Sequence, residues 1–126
     1  MRDRTLWTWH IGAGLVILVL LGLHMAIMHL DATLGFLGGS GAEPVEWASV
    51  AGRAQSLFFT VTYVLLLGAA LYHGFYGLRN ILFELNPGSG LRRLLNVGLS
   101  VLGLALFTFG TWAALAAPGA ATAMGG

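Results

Sequence analysis

The chain has 126 residues, of which 57% are hydrophobic and only 9% are charged, and its formal net charge is +1. A soluble domain would carry about 25% charged residues, so this composition indicates a membrane protein, and the small net charge gives no reason to expect nucleic acid as a partner. The absence of cysteine excludes disulfides, iron–sulfur clusters held by this chain and thiolate zinc sites.

Three long apolar stretches predict three transmembrane helices, at about residues 6–30, 54–84 and 92–117. Each is long enough for the roughly 20 residues that cross a bilayer core, and backbone polar groups in lipid must be paired within a helix. The first apolar run is too long for a signal peptide and has no convincing cleavage site, so we interpret it as a retained helix. We therefore predict a single all-α membrane domain spanning residues 1–126, with an outer loop at 31–53.

The charges that flank these helices predict their orientation. Basic residues lie near the N-terminus (Arg2 and Arg4) and in the second loop (Arg92 and Arg93). The first loop is mainly acidic, with Asp31, Glu43 and Glu46. By the positive-inside rule, the N-terminus and the second loop face the cytoplasm. We therefore predict a multi-pass protein of the inner (cytoplasmic) membrane, surrounded by lipid, with its N-terminus inside the cell.

Four histidines lie in or at the edges of the predicted helices: His10, His24, His29 and His73. An ionisable residue within a membrane helix is costly and is a functional candidate by default. His10 and His29 fall near helix ends, where an imidazole can reach headgroups or water, so we interpret them as interfacial. His24 and His73 lie deeper and have no acidic residue near them in their own helices. This disfavours a charge relay or a zinc site and favours neutral imidazole as a ligand of heme iron.

The segment that begins at His73 contains further candidates. Gly77 lies one helical turn beyond His73 on the same face, where a missing side chain leaves room for a porphyrin. Glu84 returns to that face after about three turns, roughly 16 Å nearer the cytoplasm. Alternatively, Arg79 and Glu84 simply end the helix in the headgroup layer.

This segment resembles a family motif. The pattern His-x-x-x-Gly-[Leu/Met/Ile]-[Arg/Trp]-x-x-x-x-[Asp/Glu], here from His73 to Glu84, is similar to the second helix of the anchor subunits of succinate dehydrogenase and fumarate reductase. The chain length, the three-helix layout and the short Pro-containing loop before the third helix also match, over about Trp7 to Ala117. The start of the first helix, Trp7-Thr8-Trp9-His10, lacks a Ser-x-x-x-Arg signature, which favours the smaller hydrophobic anchor over the cytochrome b subunit.

The resemblance implies roles for particular residues. His73 matches an axial ligand of heme b, and Glu84 matches the acidic residue at the quinone end, with Arg79 able to reach a heme propionate or a quinone oxygen. Many members place a Tyr after this acid, where it hydrogen-bonds a quinone carbonyl. Leu85 stands there in this chain, which favours a menaquinone enzyme or a quinone site supplied mostly by partner subunits. Some members hold two hemes, and His24 resembles the ligand of a second, outer heme; alternatively, His24 hydrogen-bonds a carbonyl on a neighbouring helix.

The resemblance also implies a function and partners. The chain would be the membrane anchor and cytochrome b subunit of a succinate:quinone oxidoreductase, which passes electrons from succinate to quinone. A flavoprotein subunit and an iron–sulfur subunit would carry out the soluble chemistry. A second three-helix anchor subunit would complete the helical bundle, with Ala70 and Gly74 letting another helix approach closely.

Three alternatives remain at this point. One is a heme b subunit of another membrane oxidoreductase, such as a formate dehydrogenase, although those subunits usually have four helices. The second is a small transporter subunit, which would more often show broken helices or paired charges within the membrane. The third is a structural anchor without heme. A heme spectrum of the purified protein would separate the heme-binding classes from the other two.

Overall fold

A computed structural model describes residues 2–36 and 57–125 of the chain. They form three α-helices, which we label in chain order α1 (Arg2–Phe36), α2 (Leu57–Glu84) and α3 (Ser89–Gly125). Each helix contains a segment long and apolar enough to cross a membrane: Asp3–Ile27, Leu57–Glu84 and Ser89–Ala117. The predicted all-α class with three transmembrane helices is therefore confirmed, and the described residues contain no strand.

Two of the helices extend further than the apolar stretches predicted. α1 continues to Phe36, six residues beyond the predicted end, and α3 begins at Ser89 and continues through Pro118 to Gly125. The segment after Pro118 is rich in alanine, which is the strongest helix former and favours continuation of the helix. Most of the predicted outer loop, residues 37–53, lies outside the described residues.

The middle helix, α2, packs antiparallel against both of its neighbours. On one side, Tyr63 contacts His24 of α1, and His73, ten residues later, contacts the earlier residue His10, so the two helices run in opposite directions. On the other side, Phe75 lies against Gly103 of α3. Within the described ranges α1 and α3 do not contact each other. The helices thus form a layer one helix thick, with the start of α1 and the α2–α3 turn at the same end.

One stripe of α1 faces α2. Its members are half-buried and follow an alternating spacing of three and four residues: His10, Ala13, Ile17, Leu20, His24 and Ile27. This spacing keeps side chains on a single face of a helix. The packing of α1 on α2 therefore places two histidines of α1, His10 and His24, in the helix–helix contact.

Glycines let α2 and α3 approach closely. A Cβ atom at Gly103 would lie 3.0 Å from Cδ2 of Phe75, and one at Gly68 would lie 3.2 Å from Cε2 of Phe107. An aromatic ring of each helix thus occupies the place of a missing side chain on the other. Small residues serve this purpose widely in membrane helix packing, where van der Waals contact replaces the hydrophobic driving force.

A tight turn joins α2 to α3. Asn86 adopts a left-handed backbone conformation with φ of 51°, which asparagine tolerates better than most residues, and its N–H donates to the carbonyl of Phe83 at 3.0 Å. Pro87 follows and cannot continue the helix. Arg92 then donates from Nε to the Pro87 carbonyl and from a terminal nitrogen to Oδ1 of Asn86, both at 2.9 Å. The turn is therefore held from within by the first turn of α3.

Both broad faces of the layer are apolar and open. None of the residues of α2 is fully buried, although a helix flanks it on either side. Large apolar side chains are exposed along all three helices, including Leu18, Leu57 and Leu94 with exposed fractions of 71%, 78% and 67%. Soluble monomers do not expose continuous apolar surface of this extent, so lipid or other membrane helices must cover these faces.

Candidate functional site

The imidazole rings of His10 and His73 stack on each other across the α1–α2 contact. Their ring centroids lie 4.1 Å apart and their planes differ by 5°. Tyr76, one turn after His73 on α2, packs against the His10 ring with centroids 5.2 Å apart. Both histidines are half-buried. Two residues separated by 63 positions in the sequence thus form one structural unit within the membrane span.

A hydrogen bond sets the tautomer of the neutral His73 ring. Its Nδ1 lies 3.1 Å from the main-chain carbonyl oxygen of His10. Because a carbonyl oxygen can only accept, Nδ1 must carry the proton, and Nε2 of the neutral ring keeps its lone pair. Histidines that ligate a metal typically donate their other ring N–H to a carbonyl or carboxylate in this way. His73 therefore fits the role of an axial ligand to heme iron through Nε2.

Heme suits the available donors better than a bare metal ion does. Among the described residues, no three His, Cys, Asp or Glu side chains come together as a possible metal site. Heme needs only one or two axial ligands because the porphyrin supplies the other four. A single well-oriented imidazole at His73 meets that requirement.

The residue before His73 makes a second contact of the same kind. Tyr72 donates its hydroxyl hydrogen to the carbonyl oxygen of Leu6 at 2.9 Å. Leu6 lies one helical turn before His10, so consecutive side chains of α2 bind carbonyl oxygens on consecutive turns of α1. These two hydrogen bonds fix the register between the helices and, with it, the position of His73.

His24 lies at a different level of the α1–α2 contact. Its ring meets Tyr63 edge-on, with centroids 5.5 Å apart and an interplanar angle of 76°. The cavity beside it has a volume of about 20 Å³, which is enough for about one water molecule. A porphyrin bound to His24 would therefore have to approach from outside this contact. The structure separates His24 from His73, and the predicted second heme at His24 remains a prediction.

Gly77 faces α1. A Cβ atom placed on Gly77 would lie 3.4 Å from Cε1 of His10. The neighbour that fills this space within the chain is therefore the imidazole of His10. The role predicted for Gly77 as a point of clearance for the porphyrin remains a prediction.

Arg79 turns toward α3 instead of α1. Its Nε donates to Oδ1 of Asn96 at 2.5 Å, and one terminal nitrogen donates to Oδ1 of Asn80 at 3.3 Å. The guanidinium carbon lies 4.3 Å from the centroid of Phe83, in cation–π geometry. It also lies 6.0 Å from the centroid of Tyr76, so Arg79 and the stacked pair of His10 and His73 share Tyr76 as a neighbour.

A long groove with a volume of about 890 Å³ follows one face of the layer beside Arg79. Leucine, phenylalanine and tyrosine side chains line most of it, and Asp3, Arg79 and Asn96 lie at the end nearest the α2–α3 turn. Glu84, the last residue of α2, is exposed at the same end but does not line the groove. Leu85, where many family members have a tyrosine, is also exposed, with an exposed fraction of 76%. The groove therefore has an apolar length and a polar end that carries charges of both signs, Asp3 and Arg79.

Sequence reasoning missed the role of His10. We interpreted it as an interfacial residue because it lies near the start of the first helix, whereas the structure places it against His73. Its spacing to His24 corresponds to two heptads, which puts both residues on one face of α1. That spacing was the available signal. No comparable spacing in the sequence indicates that Tyr72 contacts Leu6 or that Arg79 contacts Asn96.

These features define a multi-pass helical membrane protein that presents a well-oriented imidazole within the span. The chain belongs to the succinate dehydrogenase/fumarate reductase transmembrane subunit family, whose family model matches residues 2–115. It is therefore a membrane subunit of an oxidoreductase complex that contains other subunits. The resemblance predicted from the His73 to Glu84 motif is confirmed. No curated protein and no solved structure matches the chain.

Proposed function

We propose that the chain is the hydrophobic, heme b-binding membrane anchor subunit of a succinate:quinone oxidoreductase of the inner (cytoplasmic) membrane. In this proposal His73 ligates heme b, and the chain helps to form the quinone site. The observation that carries it is the hydrogen bond from Nδ1 of His73 to the His10 carbonyl, which leaves the lone pair of the neutral ring on Nε2. Membership of the family supports the class of complex. Heme, when bound, supplies a one-electron carrier within the membrane.

A second anchor subunit completes the proposed heme site. His73 provides one axial ligand, and the layer of three helices leaves both of its faces open. Ala70 and Gly74 are exposed on α2, and a Cβ atom at Gly74 would meet nothing within 4 Å. Small residues at this spacing let a helix of the partner approach the α2 backbone closely. The partner would contribute the second axial ligand and close the pocket.

The soluble subunits would dock at the end that holds the N-terminus and the α2–α3 turn. Arg4 and Arg93 are exposed there, and Arg92 is half-buried in the turn. By the positive-inside rule this end faces the cytoplasm, where an iron–sulfur subunit and a flavoprotein subunit would oxidise succinate. Electrons would then enter the membrane close to Arg79.

The quinone site belongs at the same end of α2 in this proposal. Arg79 has five N–H donors, and its contacts with Asn96 and Asn80 account for two of them, so a quinone oxygen could bind to another. Glu84 is exposed one turn further on and could deliver protons to a reduced quinone. Leu85 supplies no hydroxyl, which supports menaquinone over the ubiquinone that a tyrosine at this position would bind.

The experiment that tests the proposal replaces the proposed ligand in the assembled complex. His73→Leu is expected to abolish the heme b signal in the reduced-minus-oxidised spectrum. His29→Leu is the matched control, since it makes the same chemical change near the other end of the layer, and it should retain the signal. A His73→Leu complex with full heme content would contradict the proposal. A wild-type complex without heme would identify the chain as a structural anchor.

A further inference from the structure

The ring of His10 has no role in the proposed function so far, since only its main-chain carbonyl binds His73. Yet the ring lies parallel to the His73 imidazole, with 4.1 Å between centroids and 5° between planes. Its Nδ1 is buried and has no hydrogen-bond partner among the described residues. A leucine at position 10 would provide the same carbonyl and comparable bulk. The parallel stacking therefore requires a separate explanation.

Each histidine ring lies over a glycine of the opposite helix. A Cβ atom at Gly14 would lie 3.1 Å from Cε1 and 3.2 Å from Nδ1 of His73. A Cβ atom at Gly77 would lie 3.4 Å from Cε1 of His10. The first distance would force the His73 ring to move, whereas the second is close to ordinary contact. The His73 ring is thus confined by Gly14, by the His10 ring and by the hydrogen bond to the His10 carbonyl.

We propose that His10 is a positioning residue, whose ring fixes the rotation of the His73 imidazole about its Cβ–Cγ bond. The hydrogen bond at Nδ1 sets the tautomer, but it restrains this rotation through a single atom, so the ring plane can still tilt while the hydrogen bond bends. A flat ring stacked on one face removes that freedom. The inference rests on the proposed role of His73, because the orientation that His10 fixes is that of the imidazole plane at the heme iron.

The test compares three variants in the assembled, heme-loaded complex. His10→Leu keeps the carbonyl and the bulk but loses the flat ring, His10→Phe keeps a flat ring without nitrogen, and Gly14→Ala pushes the His73 ring directly. The readouts are the largest g value of the ferric heme in electron paramagnetic resonance and the heme affinity. The g value reports the orientation because it depends on how the plane of an imidazole ligand is turned about its bond to the iron.

We expect His10→Leu and Gly14→Ala to shift the largest g value and to lower heme affinity about tenfold, the lower end of what loss of an orienting neighbour costs a metal site. His10→Phe should retain both properties. Unchanged g values and affinities in both His10→Leu and Gly14→Ala would overturn the positioning role. If His10→Leu does not assemble, Gly14→Ala and His10→Phe still give opposite expected results and decide the question.

The outcome is separable from that of the proposed function. If His73→Leu removes the heme while His10→Leu leaves the g value and affinity unchanged, His73 is the ligand and only the positioning role is wrong. If His73→Leu retains the heme, the ligand assignment is wrong and the positioning role is overturned with it. Gly12→Ala serves as the matched control for Gly14→Ala, since it adds the same methyl group to the same helix and meets nothing within 4 Å.

Discussion

Tyr72 donates a hydrogen bond to the carbonyl oxygen of Leu6, and His73 donates one to the carbonyl oxygen of His10, one helical turn further along α1. Both carbonyls already serve the α1 helix as acceptors, so the two side chains use the second lone pair of each oxygen. This arrangement couples the histidine site to the packing of α1 on α2. If His73 binds heme as proposed, a change in that packing should be detectable in the heme spectrum.

Removal of the Tyr72 hydroxyl should weaken this coupling. Hydrogen bonds between membrane helices contribute on average about 0.6 kcal/mol and at most about 1.7 kcal/mol, so Tyr72→Phe should lower the free energy of unfolding by an amount in this range. Unfolding in mixed detergent micelles measures the change. Tyr63→Phe is the control, because its ring contact with His24 survives loss of the hydroxyl. Equal stability of the two variants would contradict the role assigned to Tyr72.

The contact between α2 and α3 should be sensitive to one added methyl group. Gly103→Ala places a Cβ atom 3.0 Å from the Phe75 ring, whereas Gly98→Ala on the same helix meets nothing within 4 Å. Both variants gain the same helix propensity, so their difference isolates the packing cost. Overpacking costs about 1–3 kcal/mol, and we expect Gly103→Ala to be less stable than Gly98→Ala by that amount. Detergent unfolding of the two variants side by side checks the prediction.

The number of hemes tests the role predicted for His24. If His24 ligates an outer heme, the purified complex should contain a second heme for each flavin, and His24→Leu should lose one of the two while His73→Leu loses the other. Pyridine hemochrome analysis against the flavin content gives the ratio. A single heme per flavin in the wild type would leave His24 as a packing partner of Tyr63.

Glu84 is expected to be required for reduction of quinone. Glu84→Ala and Glu84→Gln should both lose quinone reductase activity while succinate oxidation with a soluble dye and the heme content stay intact. The glutamine variant keeps the shape and the hydrogen bonding of the side chain, so its loss of activity would identify proton transfer as the missing function. Full quinone reductase activity in both variants would place the quinone site elsewhere.

The sequence predicted the number and type of the helices because apolar length and charge depletion are properties of each segment by itself. It also singled out His73, through a motif that lies within a single helix. The contact between His10 and His73 could not be predicted in the same way, because it depends on the register of α1 against α2. Tyr72 sets that register by binding a main-chain carbonyl, and such an acceptor is present at every residue of α1.

The direction of the Arg79 side chain could not be predicted from the sequence either. Its length and position near the end of α2 predicted a cationic group within reach of a heme propionate or a quinone. Its direction toward α3 follows from Asn96, 17 residues further along the chain, and from the ring of Phe83 one turn below it. The spacing between Arg79 and Asn96 becomes meaningful only after the turn at Asn86 has reversed the chain.

That turn has a consequence for assembly. Because Asn86, Pro87 and Arg92 hold α2 and α3 in a closed hairpin, we expect these two helices to pair before α1 joins them. The imidazole pair exists only once α1 has docked onto this hairpin in the correct register. Heme loading would then act as a checkpoint on biogenesis: a subunit whose first helix is misplaced would remain in the membrane but present a histidine whose ring is free to rotate.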